Sequence, residues 1–378
     1  MNILHVVNIS FVIPFFLGEQ LNYFSKKGFK EYVACSPSEE LESFSERYSF
    51  VNLPVAIERK LSFWNDLKAI LKLGWFMRKY KIDVAVGHTP KGALIAMVAA
   101  FGTRTPIRIY FRHGLVYETA AGFKRFLLIN IDRLTAKLAT KIICVSPSVA
   151  NKSIKDRLNR GNKQFVLKNG TCNGINVEYF SQASIIKDES QALQKLLGLE
   201  KENFVIGYTG RLVKDKGIID LVDAFNKVKK QCPNARLLLV GMLEERDALP
   251  KPLVDTLNSD NAIIMAGYVD NIRMPLYYSL MDVFVLPSYR EGFPTSVLEA
   301  SAMNIPVLTT RATGCIDSIV EGETGFFFNG VEEMAKSIMW LYNHSEDRIE
   351  IGRKGRLYVE NNFQQKDIWN EIEKNYQR

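Results

Sequence analysis

The stretch Ser288-Tyr289-Arg290-Glu291-Gly292-Phe293-Pro294-Thr295-Ser296-Val297-Leu298-Glu299-Ala300-Ser301-Ala302-Met303-Asn304-Ile305-Pro306-Val307 reads as a turn opening into a helix. Val283-Phe284-Val285-Leu286 before it is short, apolar and β-rich and stops at Pro287, as a buried strand does, while Pro294 suits the first turn of a following helix. A helix entrance leaves N–H groups unpaired at the positive end of the macrodipole. The amides of Thr295, Ser296 and Val297 are therefore natural partners for phosphate oxygens. Glu299 lies about one turn inside, too deep to cap the helix but placed to accept hydrogen bonds from ribose hydroxyls. Glu291 precedes the turn, where an anion beside a phosphate is repelled unless it binds hydroxyls or a developing positive charge. Two such carboxylates around a phosphate-friendly entrance point to a sugar nucleotide.

Working back from this stretch, Phe204 to Gly210 reads as a strand, followed by Arg211-Leu212-Val213-Lys214-Asp215-Lys216-Gly217. That places Arg211 and Lys216 at the strand's carboxyl edge, on the sheet side where the Glu291 helix begins. Arginine grips a diphosphate in bidentate fashion and lysine adds a compact charge. Arg236 to Val240 and Ile263 to Tyr268 are further strands.

Glu291-Gly292-Phe293-Pro294-Thr295-Ser296-Val297-Leu298-Glu299, with Pro287-Ser288 before it, resembles the Glu-x7-Glu motif of retaining glycosyltransferases with the GT-B fold, specifically the large family 4. Gly210-Arg211 with Lys216-Gly217, the turn Gly267-Tyr268-Val269-Asp270-Asn271, Thr313-Gly314-Cys315 and Glu321-Gly322-Glu323-Thr324-Gly325-Phe326 fit the same family pattern. The resemblance implies an α/β GT-B protein of two Rossmann-like domains facing a central cleft. It implies that Arg211 and Lys216 neutralise the leaving diphosphate, that Glu291 holds sugar hydroxyls beside the oxocarbenium-like carbon, and that Glu299 holds the ribose. Tyr268 and Val269 would read the nucleobase through their backbone, Gly210 would border the diphosphate, and Gly292, Phe293 and Pro294 would shape the backbone around the sugar.

Toward the amino terminus, Met1 to Ile9 reads as a strand and Phe11 to Gly18 as a loop. Gly18 to Gly28 reads as a helix closed by Gly28. By resemblance the first loop lies over the donor diphosphate, with Gly18 alone where family members have a glycine pair. Val33 to Ser36, Val51 to Leu53, Val84 to Gly87, Ile107 to Phe111 and Ile142 to Ser146 continue a strand pattern, with Asp66 to Lys79 among the helices between. Alternating β and α units predict a parallel sheet whose ligands sit at the strands' carboxyl ends. His88-Thr89-Pro90-Lys91-Gly92 and Arg112-His113-Gly114-Leu115 fall on that edge and resemble segments of enzymes that extend lipid-linked sugars for surface polysaccharides. His113 is the candidate to orient the acceptor or bond a sugar hydroxyl, against the alternative of a histidine closing a turn. Tyr117 to Leu138 mixes aromatic, aliphatic and basic residues and fits either a membrane-interface helix or a core helix. Asn169-Gly170 through Asn176-Val177-Glu178-Tyr179-Phe180 resembles the family segment that closes the first domain, with Asn176 in place of an Asp.

The expected organisation is an acceptor-binding domain over 1–182, a polar linker at Ser181 to Ser190, a nucleotide-sugar-binding domain over 195–361, and a tail helix, 362–378, returning to the first domain. With 378 residues, two domains of ordinary size are expected. Hydrophobic content of 47% with 24% charged residues argues against disorder and against a multi-span membrane protein. Ile3 to Gly18 lacks a basic leader region, and Gly92 to Gly102 is too short to cross a bilayer. Five scattered cysteines with no Cys-x-x-Cys favour a reducing cytoplasm. Residues 1–190 hold 27 Lys+Arg against 15 Asp+Glu, a balance of +12, and the remainder 22 against 26, a balance of −4. A cationic first half faces an anionic membrane or nucleic acid, or is simply a solubilising surface.

These expectations combine into a retaining hexosyl- or N-acetylhexosaminyltransferase that uses a nucleoside diphosphate sugar, a UDP-sugar on family grounds. It would need no metal or other cofactor, since no Asp-x-Asp occurs. The implied acceptor is a polyprenyl-diphosphate-linked saccharide, and the implied location is peripheral on the inner face of the cell membrane. The alternatives are a GT-B sugar-nucleotide epimerase and a non-enzymatic basic module that binds nucleic acid; the paired carboxylates disfavour the latter, and no nucleic-acid partner is expected.

Overall fold

The protein is described from a computed structural model covering residues 1–58, 62–245 and 247–377. The chain forms two compact units, Met1–Gly174 with the C-terminal segment from Gln365, and Ile175–Gln364. Arg378, the last residue of the expected tail helix, lies outside the described residues.

The first unit is built on a parallel sheet of β1 (Asn2–Val6), β2 (Lys30–Cys35), β3 (Val51–Pro54), β4 (Val84–Gly87), β5 (Ile107–Arg112), β6 (Lys141–Cys144) and β7 (Gln164–Val166), in the order β3-β2-β1-β4-β5-β6-β7. The second is built on β8 (Phe204–Thr209), β9 (Ala235–Val240), β10 (Ile263–Gly267), β11 (Val283–Leu286), β12 (Val307–Thr309) and β13 (Gly325–Phe327), in the order β10-β9-β8-β11-β12-β13. Both are Rossmann-like. Strands such as β4, β8 and β11 are buried along their whole length, as they must be when helices cover both sheet faces. Each sheet reverses its strand order once, between β1 and β4 and between β8 and β11. Ligands of such sheets bind beyond the carboxyl ends at that reversal.

Helices Phe63–Lys79, Pro90–Gly102 and Gly122–Leu138 share one core with the first sheet, through side chains such as Leu73, Ala96 and Ala136. Helix Glu19–Lys26 packs on Val7 and Val33 through Leu21. The tail helix Gln365–Asn375 belongs to the first unit: Ile368, Trp369, Ile372 and the following Tyr376 are buried. Trp369 Nε1 donates to Asn173 at 2.7 Å, and Tyr376 packs on Phe24 with ring centroids 5.3 Å apart. Each fully buried large side chain contributes roughly 1.5–3 kcal/mol, which is enough to anchor a short helix.

Three sequence expectations change. Phe11 to Gly18 is not an open loop but two short helical turns, Ser10–Val12 and Ile13–Phe16. They end at Gly18, whose φ of +45° and 2.6 Å approach to the Pro14 carbonyl leave no room for a Cβ. Ser181 to Ser190 is not a free linker. It lies in the second unit, partly as Gln182–Ser184 and the start of helix Lys187–Leu196. The reason is upstream: Arg356 donates to the carbonyls of Val177 and Phe180, tying that segment down. Tyr117 to Leu138 is a core helix on one side only: Tyr117, Thr135 and Ala136 are buried, while Phe123 and Phe126 stand exposed. No helix among the described residues is long and apolar enough to cross a membrane.

The first unit buries one ion pair completely on the arginine side. Arg112 is 0% exposed, 2.6 Å from Asp132, and also donates to Asn159 at 2.8 Å. Removing one partner of such a pair strands the other charge. Arg112→Met is expected to lower unfolding stability by about 3–5 kcal/mol, whereas Lys227→Met, which breaks the exposed pair with Glu332, should change it by less than about 1 kcal/mol. Chemical denaturation of the two variants beside wild type checks the contrast.

Candidate active site

At the reversal of the second sheet, the segments after β8 and β11 are laced together by backbone. A Cβ on Gly217 would sit 2.2 Å from the Pro287 carbonyl oxygen, and Gly217 holds φ at +70°. Only glycine permits that approach. Tyr289 N–H donates to the Asp215 carbonyl at 3.0 Å, and Arg290 lies 3.2 Å from the Asp215 carboxylate. The result brings Lys216 against Glu291 as a direct ion pair, both side chains largely buried. From the far side, Glu291 N–H donates to the Thr313 carbonyl, and a Cβ on Gly314 would meet the Gly292 carbonyl at 2.4 Å.

Helix Thr295–Ala302 begins immediately after Pro294, so the proline precedes the first turn and no side chain caps the entrance. The first-turn amides at Thr295 and Ser296 therefore stay available to an anion. The Val297 amide, expected to face a phosphate, instead donates to the Pro294 carbonyl at 3.2 Å and closes the turn, with the side chain buried. Phe293 packs on Phe363, with centroids 5.4 Å apart.

One turn in, Glu299 accepts a 2.8 Å hydrogen bond from Tyr278 Oη, which also lies 2.9 Å from Thr209 Oγ1. Desolvation pushes the Glu299 carboxyl up to about 7, against the opposing pull of the Tyr278 hydrogen bond. Tyr278 and Thr209 were not legible as site residues, because both read as ordinary members of apolar elements.

The remaining expected residues are less tightly gathered. Arg211 pairs with Glu244 at 2.9 Å on a half-open surface, while Tyr208 Oη donates to its carbonyl at 2.8 Å. Gly210 has φ +144°, and a Cβ on Gly241 would meet its carbonyl at 1.8 Å, so the β8 and β9 ends also touch through backbone. Tyr268 is exposed and Val269 partly so, just beyond Gly267 at the end of β10.

In the first unit, the Gly18 turn and His113 come together. Phe16 stacks on the His113 ring at 3.8 Å between centroids, nearly parallel. His113 Nε2 lies 2.9 Å from His88 Nδ1, so His88 is a structural partner of His113 and not a separate site residue. Desolvation pulls His113 down to about 3, which keeps its ring neutral at physiological pH.

Comparison with known proteins puts these features in a family. Residues 189–358 match the model "Glycosyl transferases group 1", and residues 16–171 match "Glycosyltransferase Family 4". The chain is 36% identical over 377 residues to the capsular polysaccharide biosynthesis glycosyltransferase CapM of Staphylococcus aureus, covering 99% of this chain and 96% of that one. It is 24% identical over 294 residues to the UDP-Gal:alpha-D-GlcNAc-diphosphoundecaprenol alpha-1,3-galactosyltransferase of Escherichia coli, covering 77% and 73%. In fold it is similar to Anabaena HepE solved with UDP and glucose, at TM-score 0.83 and 17% identity over 99% and 98% of the chains. With its two Rossmann-like units and its GT-B structural relatives, the chain belongs to the group 1, family 4 glycosyltransferases and is a glycosyltransferase.

Proposed function

We propose that this glycosyltransferase moves a sugar from a UDP-sugar, with retention and without a metal, onto a polyprenyl-diphosphate-linked saccharide during capsular or surface polysaccharide synthesis. The observation that carries the reading is the Lys216–Glu291 pair held at the reversal of the second sheet, beside an uncapped helix entrance. An incoming diphosphate competes for Lys216 and frees Glu291. Arg211, Lys216 and the Thr295 and Ser296 amides then stabilise the charge that grows as the sugar–phosphate bond breaks. Glu291, released from its partner, accepts sugar hydroxyls and flanks the anomeric carbon, while Glu299 holds the ribose. In the first unit, His113 bonds a sugar hydroxyl. The leaving phosphate takes the acceptor's proton on the face from which it departs. CapM's role and the donor and diphosphoundecaprenol acceptor named for the Escherichia coli relative support the choice of substrates.

A membrane-linked acceptor calls for a membrane-facing surface at the inner leaflet, and helix Phe63–Lys79 supports one. Its outward residues are Phe63, Trp64, Leu67, Leu71 and Trp75, with Trp64 70% exposed, interleaved with Lys68, Lys72, Arg78 and Lys79. Lys79 lies 4.6 Å over the Trp75 ring. Such a stripe seats aromatic rings at the headgroup level while each cation gains about 1 kcal/mol from anionic lipid. Phe123 and Phe126 on helix Gly122–Leu138 add to the exposed apolar area of the same unit.

Donor binding, turnover, pH dependence and vesicle binding test the reading. With UDP-sugar donor and saccharide-diphosphate-lipid acceptor, Lys216→Ala is expected to weaken UDP binding by about tenfold or more. Glu291→Gln is expected to keep UDP binding and lose about 100- to 1000-fold in turnover; product of inverted configuration, or loss of turnover on chelation of divalent ions, would refute the retaining, metal-free form.

Only the ionised Glu299 offers both oxygens as acceptors to the ribose hydroxyls, and with its carboxyl near 7 binding weakens as pH falls. UDP-sugar affinity, whose diester phosphates do not titrate here, is expected to drop about tenfold from pH 8 to pH 6, and the slope should vanish in Glu299→Gln. Vesicle co-sedimentation checks the surface: binding to phosphatidylglycerol vesicles, weak on zwitterionic ones, should fall sharply in Trp64→Ser/Trp75→Ser while UDP binding stays intact.

A further inference from the structure

The first unit holds a file of buried polar side chains that crosses four adjacent strands. Glu31 on β2 places Oε2 3.2 Å from His5 Nε2 on β1. His5 Nδ1 lies 3.1 Å from His88 Nε2, and His88 Nδ1 lies 2.9 Å from His113 Nε2. Glu31, His5 and His88 are 3%, 1% and 1% exposed, whereas His113 reaches partial exposure. The strand register explains the file. Glu31 pairs with Ile3, two residues before His5; His5 pairs with Val86, two residues before His88; Val86 pairs with Ile109, and His113 follows four residues on. Each member thus stands two residues further toward the carboxyl edge than its neighbour on the preceding strand. Steps of two keep all four on one sheet face, so the file climbs diagonally from the middle of β2 to the edge beyond β5.

The file is held in place at a cost to the backbone. Thr89, directly after His88, adopts φ +61° and ψ 150°, a conformation that β-branched residues avoid. The Phe16 ring covers His113 from the Gly18 turn, and Phe111 stacks on both His88 and His113. Burial pushes the Glu31 carboxyl up, His5 and the Met1 amino group pull it back down, and Tyr376 of the tail also faces it.

We propose that Glu31, His5 and His88 are positioning residues that set the tautomer of His113, holding its proton on Nε2 and leaving Nδ1 free to accept a hydrogen bond from a sugar hydroxyl. A neutral imidazole has one donor and one acceptor nitrogen, so three in a file share one direction. With Glu31 as carboxylate, its charge 3.2 Å away draws the His5 proton to Nε2, His88 then donates from Nε2 to His5 Nδ1, and His113 donates from Nε2 to His88 Nδ1. Burial pulls His88 well below the ordinary histidine range and His113 down to about 3, so both rings stay neutral. A carboxylate at the buried end is the strongest available acceptor and selects this direction over its reverse. Without it the two directions become close in energy, and His113 presents a mixture of Nδ1 and Nδ1–H to the substrate.

The inference rests on the glycosyltransferase reading for its substrate, and its test does not. The sequence contains four histidines, and His344, exposed at the surface, serves as internal reference. Long-range proton–nitrogen correlation spectra of the full chain with 15N-labelled histidine read each tautomer directly. The expected spectrum has His5, His88 and His113 all as Nε2–H between pH 7 and 8. In Glu31→Leu, His88 and His113 should show averaged or Nδ1–H signatures, turnover should fall about 10- to 100-fold, and UDP binding should be unchanged. Should Glu31→Leu fail to fold, His5→Phe cuts the file at the next link and carries the same expectation for His88 and His113. An Nδ1–H tautomer of His113 in the wild type, or the same tautomers in wild type and variant, would overturn the proposal. Wild type lacking transferase activity but showing the uniform Nε2–H file would uphold the array while refuting its assigned substrate.

Discussion

The approach of Gly217 to the Pro287 carbonyl is the constraint from which the candidate site of the second unit follows. Two segments that leave adjacent parallel strands normally diverge, because side chains keep them apart. Here a glycine with positive φ lets one backbone rest on the other, and the charged residues on each side are forced to resolve their contact. Asp215 takes Arg290, Lys216 takes Glu291, and Gly314 presses in from the third side. Charges placed this way are already desolvated before a substrate arrives, so a diphosphate meets cations whose positions need little rearrangement. Opposite charges about 4 Å apart attract by about 4 kcal/mol at the effective dielectric of a protein surface, and more in direct contact, which keeps Glu291 harmless to an approaching anion only as long as Lys216 neutralises it.

The two units use one topology for different electrostatic ends. In the second, the reversal point carries exposed and half-buried charges aimed outward, with Glu299 steadied from beneath by the buried Tyr278 and Thr209. In the first, the corresponding edge carries neutral rings, and the only carboxylate of the histidine file sits three strands inside. A polar group inside a Rossmann-like sheet must find its partner on another strand or on a covering helix, because helices cover both faces and exclude water. That requirement produces the diagonal file. It also explains Arg112, which crosses from β5 to Asp132 on the covering helix and draws Asn159 and Gln164 into the same network.

Much of this was legible before the structure. The alternation of short apolar runs with helical stretches predicts parallel sheets, and positions 283–307 show a strand, a turn and a helix entrance in order. The Arg211, Lys216, Glu291 and Glu299 quartet was readable because each follows a strand or opens a helix, and chain connectivity alone puts such residues on one edge. Other features resisted. His5 and Glu31 lie within apolar strands, and a lone charge inside Glu31-Tyr32-Val33-Ala34-Cys35 was the one available clue to a buried network. Ser181 to Ser190 looked like a linker because polar composition says nothing of the arginine, Arg356, that binds the chain just before it. Helix Gly122–Leu138 looked apolar enough for a core, yet which of its faces is covered depends on the neighbouring helix Pro90–Gly102 and not on its own residues.

By itself the sequence determined the fold class, the family, and the chemical types gathered at the carboxyl edge of the second sheet, because period, turn residues and motif spacing are local properties of the chain. Only the tertiary structure decided the pairings: Lys216 with Glu291, Tyr278 with Glu299, and Glu31 through two buried imidazoles with His113. Those depend on strand order and register, which are settled when distant segments close their hydrogen bonds and bury their apolar faces together, and a one-residue slip in any strand would send its polar member to the opposite face of the sheet.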